Sequence, residues 1–458
     1  MEDEGKQEVP STEQSSATTN APETGSATSP ANERIRSVKL NVPGDNNDVH
    51  EYVLEDAGEG EKITSTRRAL VGQFAVVRSS TAKKTKRKTL RRTKRAEKRG
   101  SEISNATPTG YLKEDADVLT ILDHMRKDVK DAPLQLRCLL AIERLVETEA
   151  ANRDVVAQNG GIELILEAAN NCKSNKDVQG SACWVLSNLC RNKDLNSRLV
   201  EKGCIDIVMQ VFTEHSAIER VQHACLAVIC NLALNVDTLK KLVAADVVPN
   251  VTRTIRDFPE NEWIQFTAVQ VLQNTANVAD LCAKLMEANI MSAVLQSMDA
   301  CNDHDELLQS SLWIFSSLAF NGQDETRVAL LECGVLPSII RAMKDCEGHH
   351  GVFFTGCSAI ANLARTGDIV DTIVKSEAVP LLLNVLQQCL NDASVLRTGC
   401  RALVLLLESN DAHKQCKQHG ASKLLKKILD ENTEEPVAME AKQALKLLKT
   451  KGGGCIVM

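Results

Sequence analysis

The sequence has 458 residues, of which 43% are hydrophobic, 25% are charged and only 3% are aromatic. A globular enzyme of this length usually packs more aromatic side chains into its core. The low aromatic fraction therefore favours thin helical layers, in which each helix contacts only its neighbours. The net charge is −7, yet residues 1–100 hold 19 basic and 15 acidic side chains, so the remainder carries −11. A basic arm thus precedes an acidic body.

Several classes of protein are excluded by what the sequence lacks. Its sixteen cysteines include no Cys-x-x-Cys pair, and Met1 to Pro10 is acidic and polar, without the apolar core of a signal peptide. We therefore expect buried, reduced thiols in a cytoplasmic protein rather than disulfides or a zinc ribbon. No apolar run reaches the roughly 18 residues that a membrane-spanning helix needs. The H-E-x-x-H, P-loop and G-x-S-x-G motifs are missing, so neither an enzyme nor a cofactor is expected.

Residues 1–112 are predicted to form a disordered arm, because stretches such as Pro10 to Asn32 are rich in Ser, Thr, Ala, Glu and Pro. A basic run at 83–99 contains eleven Lys or Arg and one acid, Glu97. Its first nine basic residues are Lys83, Lys84, Lys86, Arg87, Lys88, Arg91, Arg92, Lys94 and Arg95. Four interpretations stay open: a nuclear signal or nucleic-acid contact, an anionic membrane patch, a solvated arm, or a segment occupying the chain's own acidic groove. The run lacks aromatic residues that would stack on bases, which argues against specific nucleic-acid recognition.

Residues 113–450 are helix-patterned and repetitive. A small or polar residue followed by an apolar pair recurs at steps of 43, 43, 43, 45, 43 and 43, at Gly160, Gly203, Asp246, Asn289, Gly334, Glu377 and Gly420. A second series runs in phase, at Asn188, Asn231, Asn274, Ser317 and Asn362. Both series contain a two-residue insertion, which we place around Cys301 to Asp305. The regular spacing predicts an array of equivalent structural units.

Each unit is predicted to contain three helices. In Val178 to Leu189, apolar or small residues at 178, 182, 185, 186 and 189 follow the spacing of a buried helix face. Seven units are expected from about Asn152 to Thr450. The segment Glu114 to Thr148 supplies two further helices without a short first one, as a terminal cap would.

The repeat resembles the armadillo family. Ala182-Cys183-Trp184-Val185-Leu186-Ser187-Asn188-Leu189 is similar to that family's third-helix pattern, and Glu332-Cys333-Gly334-Val335-Leu336-Pro337 is similar to its first turn. The resemblance implies an all-α, right-handed superhelical solenoid of about seven to eight three-helix repeats. It also implies that the third helices line a concave groove, which binds extended or helical segments of partner proteins.

The predicted groove residues are Trp184, Asn188, Asn231, Asn274, Trp313, Ser317 and Asn362. A carboxamide both donates and accepts, so one Asn per unit is able to pair with the backbone of an extended peptide. The alternative is that some Asn only cap the third helix. Nuclear-import adaptors of the family place a Trp four residues before the Asn, but Ala227, Gln270 and Ser358 occupy three of those positions here. Binding of classical nuclear-localisation signals is therefore doubtful, and the sequence leaves open whether Trp263 is exposed or buried.

Residues 451–458 form a flexible tail that ends Cys455-Ile456-Val457-Met458, which matches the C-a-a-X prenylation signal with Met favouring farnesyl. We expect a prenyltransferase to modify Cys455. One lipid gives marginal membrane residence, so a second signal is expected, either from Lys442, Lys446, Lys449 and Lys451 or from the run 83–99. The predicted function is a prenyl-anchored protein-binding scaffold at a cytoplasmic membrane face. The alternative is a nuclear transport adaptor or a nuclear-envelope armadillo protein, with the run 83–99 recognised by an importin.

Overall fold

The computed structural model describes residues 37–40, 50–53, 116–432 and 434–450. The basic run 83–99, the tail 451–458 with Cys455, and most of the arm predicted to be disordered lie outside the described residues. Two compact units are distinguished, residues 1–69 and 70–458. Two short strands lie in the first compact unit, and all the helices given below lie in the second.

The two strands of the first unit are β1 (Ser37–Leu40) and β2 (His50–Val53). They pair in antiparallel register, with Ser37 opposite Val53 and Leu40 opposite His50. These strands were not predicted from the sequence, which indicated a disordered arm over residues 1–112. Val38 and Tyr52, which are opposite each other, are β-branched and aromatic residues of the kind enriched in strands.

Twenty-three α-helices lie within residues 116–432 and 434–450. They are α1 Val118–Lys127, α2 Ala132–Thr148, α3 Ala151–Gln158, α4 Gly161–Asn171, α5 Lys176–Cys190, α6 Lys193–Glu201, α7 Cys204–Glu214, α8 Glu219–Leu232, α9 Val236–Ala244, α10 Val247–Asp257, α11 Glu262–Ala276, α12 Cys282–Glu287, α13 Met291–Ala300, α14 Asp305–Asn321, α15 Asp324–Glu332, α16 Val335–Asp345, α17 His350–Leu363, α18 Gly367–Lys375, α19 Ala378–Gln388, α20 Ala393–Leu406, α21 Asn410–Gln418, α22 Ala421–Glu431 and α23 Glu435–Thr450. A short 3₁₀ turn, Ala279–Leu281, precedes α12.

These helices form seven complete three-helix units, α3–α5 through α21–α23, preceded by the pair α1–α2. The arrangement confirms the predicted all-α repeat fold, and the pair α1–α2 lies where two further helices were predicted. The third helices α2, α5, α8, α11, α14, α17, α20 and α23 pack on one another in chain order. Each unit thereby buries its apolar side against the next, which is how a solenoid builds one continuous core.

Helix α5 shows why the sequence folds this way locally. Val178, Ala182 and Leu186 are among its predicted apolar-face residues, and all of that face is buried. Its start is fixed by Asn175, whose side-chain oxygen accepts hydrogen bonds from the backbone N–H groups of Asp177 and Val178 at 3.1 and 3.2 Å. Such an N-cap supplies an acceptor that the first turn of a helix otherwise lacks.

The small or polar residue that recurs about every 43 positions, from Gly160 to Gly420, lies in a left-handed turn between the first and second helices of its unit. Six of its seven positions have positive φ, from 48° at Asn289 to 83° at Gly203. Glycine, Asn and Asp tolerate this conformation better than other residues do. The exception is Glu377, at φ −85°. There the extended Ser376 makes the turn, and its Oγ accepts a hydrogen bond from the Ala378 N–H at 3.2 Å.

The two-residue insertion lies elsewhere than predicted. The loop before α14 has the same four-residue length as the loops before α8 and α11, so the placement around Cys301 to Asp305 is wrong. Instead, α14 runs for 17 residues to Asn321, and the extra residues fall between Ser317 and Asp324. Both repeat series register the insertion because Ser317 precedes it, whereas Gly334 and Asn362 follow it.

Buried glutamines hold neighbouring helices together in the pair α1–α2 and in the first three units, where they join the second helix to the third. Gln135, Gln179, Gln222 and Gln265 each lie four residues after the N-cap of their third helix. In Gln222, Nε2 donates to the carbonyl oxygens of Phe212 and His215, at 2.8 and 3.2 Å. The other three make the same pair of bonds to the end of the second helix of their own units. These donors satisfy carbonyl groups that a helix end leaves without an internal partner.

The cysteines of the described chain behave as the composition predicted. Fourteen of the fifteen are buried, and Cys333 is exposed. Burial raises the pKa of the Cys138 thiol to about 11 and that of Cys416 to about 12. These thiols therefore stay uncharged at neutral pH and pack as small apolar groups.

Candidate functional site: the third-helix surface

The predicted asparagines lie near the ends of the third helices, and most are buried. Asn188, Asn274 and Asn362 are 6–9% exposed and Ser317 is 2% exposed, whereas Asn231 is half-buried. Their position on successive third helices agrees with one Asn per unit. Their contact with a partner backbone stays a prediction.

Two of these asparagines make a contact that the sequence analysis did not foresee. Asn362 donates from Nδ2 to the carbonyl oxygen and Oγ of Ser316, at 3.2 and 3.0 Å. Asn231 donates in the same way to Ser187, at 3.3 and 3.5 Å. In both cases the serine belongs to the previous unit. The amide nitrogen therefore ties adjacent third helices together, while the side-chain oxygen is the group left for a ligand.

Asn188 behaves differently. Its Nδ2 donates at 3.2 Å to the carbonyl oxygen of Trp184, one turn earlier in the same helix. The pair of residues that the family pattern places side by side is thus directly linked. No capping role for Asn188 is seen, because the acceptor is within the helix rather than beyond its end.

At two of the positions that lack the Trp, an aromatic ring one helical turn earlier makes the contact with the neighbouring unit. The ring of Trp184 contacts that of His223 edge-on, with centroids 5.0 Å apart and planes at 76°. His223 lies four residues before Ala227, the residue in register with Trp184. His223 also stacks on Trp263, at 6.3 Å and 21°. Trp184, His223 and Trp263, here called the aromatic row, cross the third helices α5, α8 and α11 obliquely.

A second aromatic contact follows the same rule. Trp313 is half-buried, and its ring stacks on that of Phe354 at 6.2 Å, with planes 27° apart. Phe354 precedes Ser358, another empty Trp position, by four residues. Trp313 also donates from Nε1 to Oδ1 of Asn277 at 2.6 Å, which fixes its ring. Strict in-register comparison could not find His223 or Phe354; an oblique search at 39–41 residues would have found them.

Trp263 is exposed, which answers the question that the sequence left open. Its side chain is 48% exposed, and it borders a cavity of about 360 Å³ between α10 and α11. The cavity is lined by Glu219, Asp257, Phe258, Pro259, Glu260, Asn261, Glu262 and Trp263. This set contains four carboxylates and no lysine or arginine. Glu219 accepts a hydrogen bond from Asn261, and Asp257 lies 3.8 Å from Arg253.

This arrangement suits a cationic side chain. A lysine or arginine over an indole face gains a cation–π attraction, and nearby carboxylates strengthen it. An exposed tryptophan beside apolar Phe258 and Pro259 also offers area for the stem of that side chain. The site is therefore suited to a basic segment rather than to an acidic one.

His304 adds a titratable group just before the start of α14. Its ring stacks on Phe266 at 4.9 Å, and its Nδ1 lies 3.3 Å from the Glu306 carboxylate and 3.2 Å from the Leu307 N–H. A protonated Nδ1 donates to Glu306, whereas a neutral one accepts from Leu307. Burial opposes protonation, but the hydrogen bond and charge of Glu306 outweigh it, so the pKa of His304 lies above its ordinary value. The hydrogen bond to His304 lowers the pKa of Glu306.

Within 116–432 and 434–450, no three His, Cys, Asp or Glu side chains are grouped so that they would hold a metal ion. The helices of that same part of the chain also lack the length and apolar character that a membrane crossing requires.

Comparison with known proteins identifies the repeat. Residues 118–338 match the family model described as armadillo-like. A crystal structure of an engineered protein is 17% identical, with a TM-score of 0.55, over 73% of this chain and 89% of that one. A designed armadillo repeat protein is 21% identical, with a TM-score of 0.46, over 53% of this chain and 98% of that one. No curated protein matches the sequence.

Proposed function

We propose, on the premise that this chain is an armadillo-repeat protein over residues 118–338, that it is a non-enzymatic scaffold which binds segments of partner proteins along its third helices. Armadillo-repeat folds generally serve as protein-binding scaffolds, because a stack of third helices presents a long, regularly spaced surface. The described residues contribute no motif or metal cluster that points to catalysis.

The observation that carries the proposal is the exposed Trp263 at the end of the aromatic row. Exposed tryptophans are uncommon on surfaces that only face water, and they are enriched among residues that anchor partners. Four carboxylates surround this one. We therefore expect the partner to be an extended or helical segment with at least one lysine or arginine next to an apolar residue.

The binding proposal is tested with a displayed library of random peptides selected against the full chain. We expect the selected peptides to contain Lys or Arg, and to bind Trp263→Ala at least tenfold more weakly, since a buried aromatic anchor is often worth 2 kcal/mol or more. Glu260→Gln should weaken the same peptides by a smaller factor. Leu119→Ala is the matched control, because Leu119 is equally exposed, at 47%, on the first helix. Equal affinity of the selected peptides for wild type and Trp263→Ala would contradict the proposal.

The proposal includes a prenyl anchor on Cys455. Its support is the C-a-a-X motif and the three glycines, Gly452 to Gly454, that separate it from α23. The proposal requires Met458 to carry the free carboxylate that a prenyltransferase recognises. A farnesyl group would hold the scaffold at a cytoplasmic membrane face, with a prenyltransferase as its modifying partner.

Intact mass and cell fractionation test the anchor. We expect the protein from its own cell to carry one farnesyl group, and Cys455→Ser to move it from the membrane to the soluble fraction. Cys333→Ser is the control, because Cys333 is the exposed cysteine of the described chain. An unmodified mass, or an unchanged distribution of Cys455→Ser, would remove the membrane part of the proposal and leave the scaffold part standing.

The alternative function is a nuclear transport adaptor or a nuclear-envelope protein, and it depends on the basic run 83–99. A fluorescent fusion that lacks residues 83–99 distinguishes the two. A loss of nuclear protein on deletion would favour the nuclear alternative and an importin contact. Unchanged nuclear content would exclude this role of the run.

A further inference from the structure

Among the described residues, α23 is the last helix, and it has one packed side and one side without a neighbouring helix. Val437, Ala441, Ala444 and Leu448 are buried, and α23 packs against α20 and α22. Every earlier third helix is also covered by the third helix of the next unit. No helix follows α23 in the described part of the chain, so its outer face would have to be polar or be covered by something else.

That outer face carries lysines. Met439 is 55% exposed, and Lys442, Lys446 and Lys449 follow it at spacings of three, four and three residues. At 100° per residue, the three lysines fall within an arc of roughly 60°, on the side opposite the buried residues. We call Met439, Lys442, Lys446 and Lys449 the lysine face.

The lysines of this face are not neutralised by neighbouring acids. None of the three forms an ion pair with another described residue, whereas Lys414 pairs with Asp411 at 3.0 Å and Lys427 with Glu431 at 3.8 Å. The acids of α23, Glu435 and Glu440, precede all three lysines and have other interactions. The positive charge is therefore concentrated in residues 442–449 of a helix about 24 Å long, whose acids lie before this stretch.

We infer that the lysine face docks on an anionic lipid bilayer and supplies the second membrane signal beside the prenyl group. The inference rests on the proposed prenylation of Cys455. Cys455 is five residue steps from Thr450 in the sequence, and an extended chain spans at most about 3.6 Å per residue. A lipid on Cys455 therefore holds the end of α23 within about 18 Å of the bilayer.

At the bilayer surface, the lipid on Cys455 and the charge of the lysine face strengthen binding together. One prenyl chain alone gives only marginal membrane binding. Each lysine near an anionic surface adds up to about fivefold in affinity, and the attraction falls off over a Debye length of about 8 Å. The lysines closest to the tail, Lys446 and Lys449, should contribute most. An acidic protein would be attracted to the same charges, but only the bilayer is brought to this face by the tail itself.

The test uses the full chain after enzymatic farnesylation, with co-sedimentation on phosphatidylcholine vesicles that contain or lack phosphatidylserine. We expect phosphatidylserine to strengthen binding of the wild type at least tenfold. The variant Lys442→Gln/Lys446→Gln/Lys449→Gln should lose most of this gain and keep its binding to neutral vesicles. The control Lys173→Gln/Lys176→Gln/Lys193→Gln removes the same charge from exposed positions of the first two units and should keep the gain. A face variant that responds to phosphatidylserine as the wild type does would overturn the inference.

A second form of the chain separates this inference from the prenyl proposal. Residues 455–458 are replaced by six histidines, and the protein is recruited through a nickel-chelating lipid in the same vesicles. Tighter binding with phosphatidylserine, lost in the face variant, would support the lysine face even if a prenyltransferase leaves Cys455 unmodified. Binding that is independent of phosphatidylserine in this form would overturn the lysine face, whatever the state of Cys455.

Discussion

The guanidinium of Arg327 donates through Nε to the carbonyl oxygen of Ala319 at 2.8 Å. Through Nη2 it donates to the Gly322 carbonyl at 2.9 Å, and through Nη1 it reaches the Asp324 carboxylate at 2.7 Å. Arg327 is only 6% exposed. One buried arginine thus satisfies the end of α14, where the two-residue insertion lengthens the third helix.

Arg327→Leu should therefore destabilise the solenoid by about 2–4 kcal/mol, because the carbonyl groups of Ala319 and Gly322 lose a charged donor. The midpoint of urea unfolding, followed by circular dichroism, measures the loss. Arg341→Leu is the control: Arg341 pairs with Asp299 on the surface, where an ion pair is worth at most about 1 kcal/mol. Equal shifts for the two variants would refute the structural role of Arg327.

The left-handed turns give a prediction about backbone strain alone. Gly203 has φ +83°, and a Cβ added there would meet no atom within 4 Å. Gly203→Ala should thus lower the free energy of unfolding by about 1 kcal/mol, because alanine is strained at positive φ and not because its Cβ clashes with a neighbour. Gly367 also has room for a Cβ, but it starts α18 with ordinary φ. Gly367→Ala should leave the thermal midpoint unchanged or raise it slightly, and a fall equal to that of Gly203→Ala would contradict this explanation.

The pair of His304 and Glu306 makes stability depend on pH. The pKa of His304 is raised above 6.5, so its contribution is complete below that pH and is lost as the pH rises through the folded value. The pKa of Glu306 is lowered from 4.5, so its contribution is lost as the pH falls through that lowered value. An NMR titration of the His304 ring should show a pKa above 6.5, and Glu306→Gln should lower it. Glu325→Gln, which changes an exposed acid on the next helix, should leave the titration unchanged.

The asparagines should differ in how much folding stability is lost when each is replaced by alanine. Asn362→Ala loses the two bonds to Ser316, so a destabilisation of about 1–2 kcal/mol is expected. Asn274 makes no such bond to the preceding unit within the described residues, and Asn274→Ala should cost less in stability. If Asn274 contacts a partner backbone, its alanine variant should weaken peptide binding while its unfolding curve changes little. A stability loss at Asn274 equal to that at Asn362 would contradict this division.

Much of the fold follows from the sequence because the repeat is periodic. The marker residues needed a left-handed turn, and the apolar spacing in segments such as Val178 to Leu189 fixed which face is buried. Those constraints are local, and the left-handed turn recurs in six of the seven units, with Glu377 as the exception. They predicted the three-helix unit and the two-helix start before any contact was known.

The features that sequence analysis missed depend on contacts between units. The two repeat series together confine the insertion to the interval from Ser317 to Gly334, so the placement around Cys301 to Asp305 overlooked the regular step of 43 from Asn274 to Ser317. The structure narrows the interval further, to the end of α14 beside Arg327. The glutamines at 135, 179, 222 and 265 also recur at nearly constant spacing, yet their role needs the geometry of two helices. In the same position of later units, Leu308, Phe353 and Leu396 are apolar and buried. The oblique aromatic row lies off the repeat register by one turn, so in-register comparison overlooked it.

Hydrogen–deuterium exchange of the full chain, with and without a peptide selected from the displayed library, tests the proposed binding surface most directly. We expect slower exchange in the loop and first turn around Trp263, residues 257–266, and in the facing third helix α8. Trp263→Ala should abolish this protection at the same peptide concentration. Protection confined to the first and second helices, or unchanged by Trp263→Ala, would contradict a binding surface on the third helices.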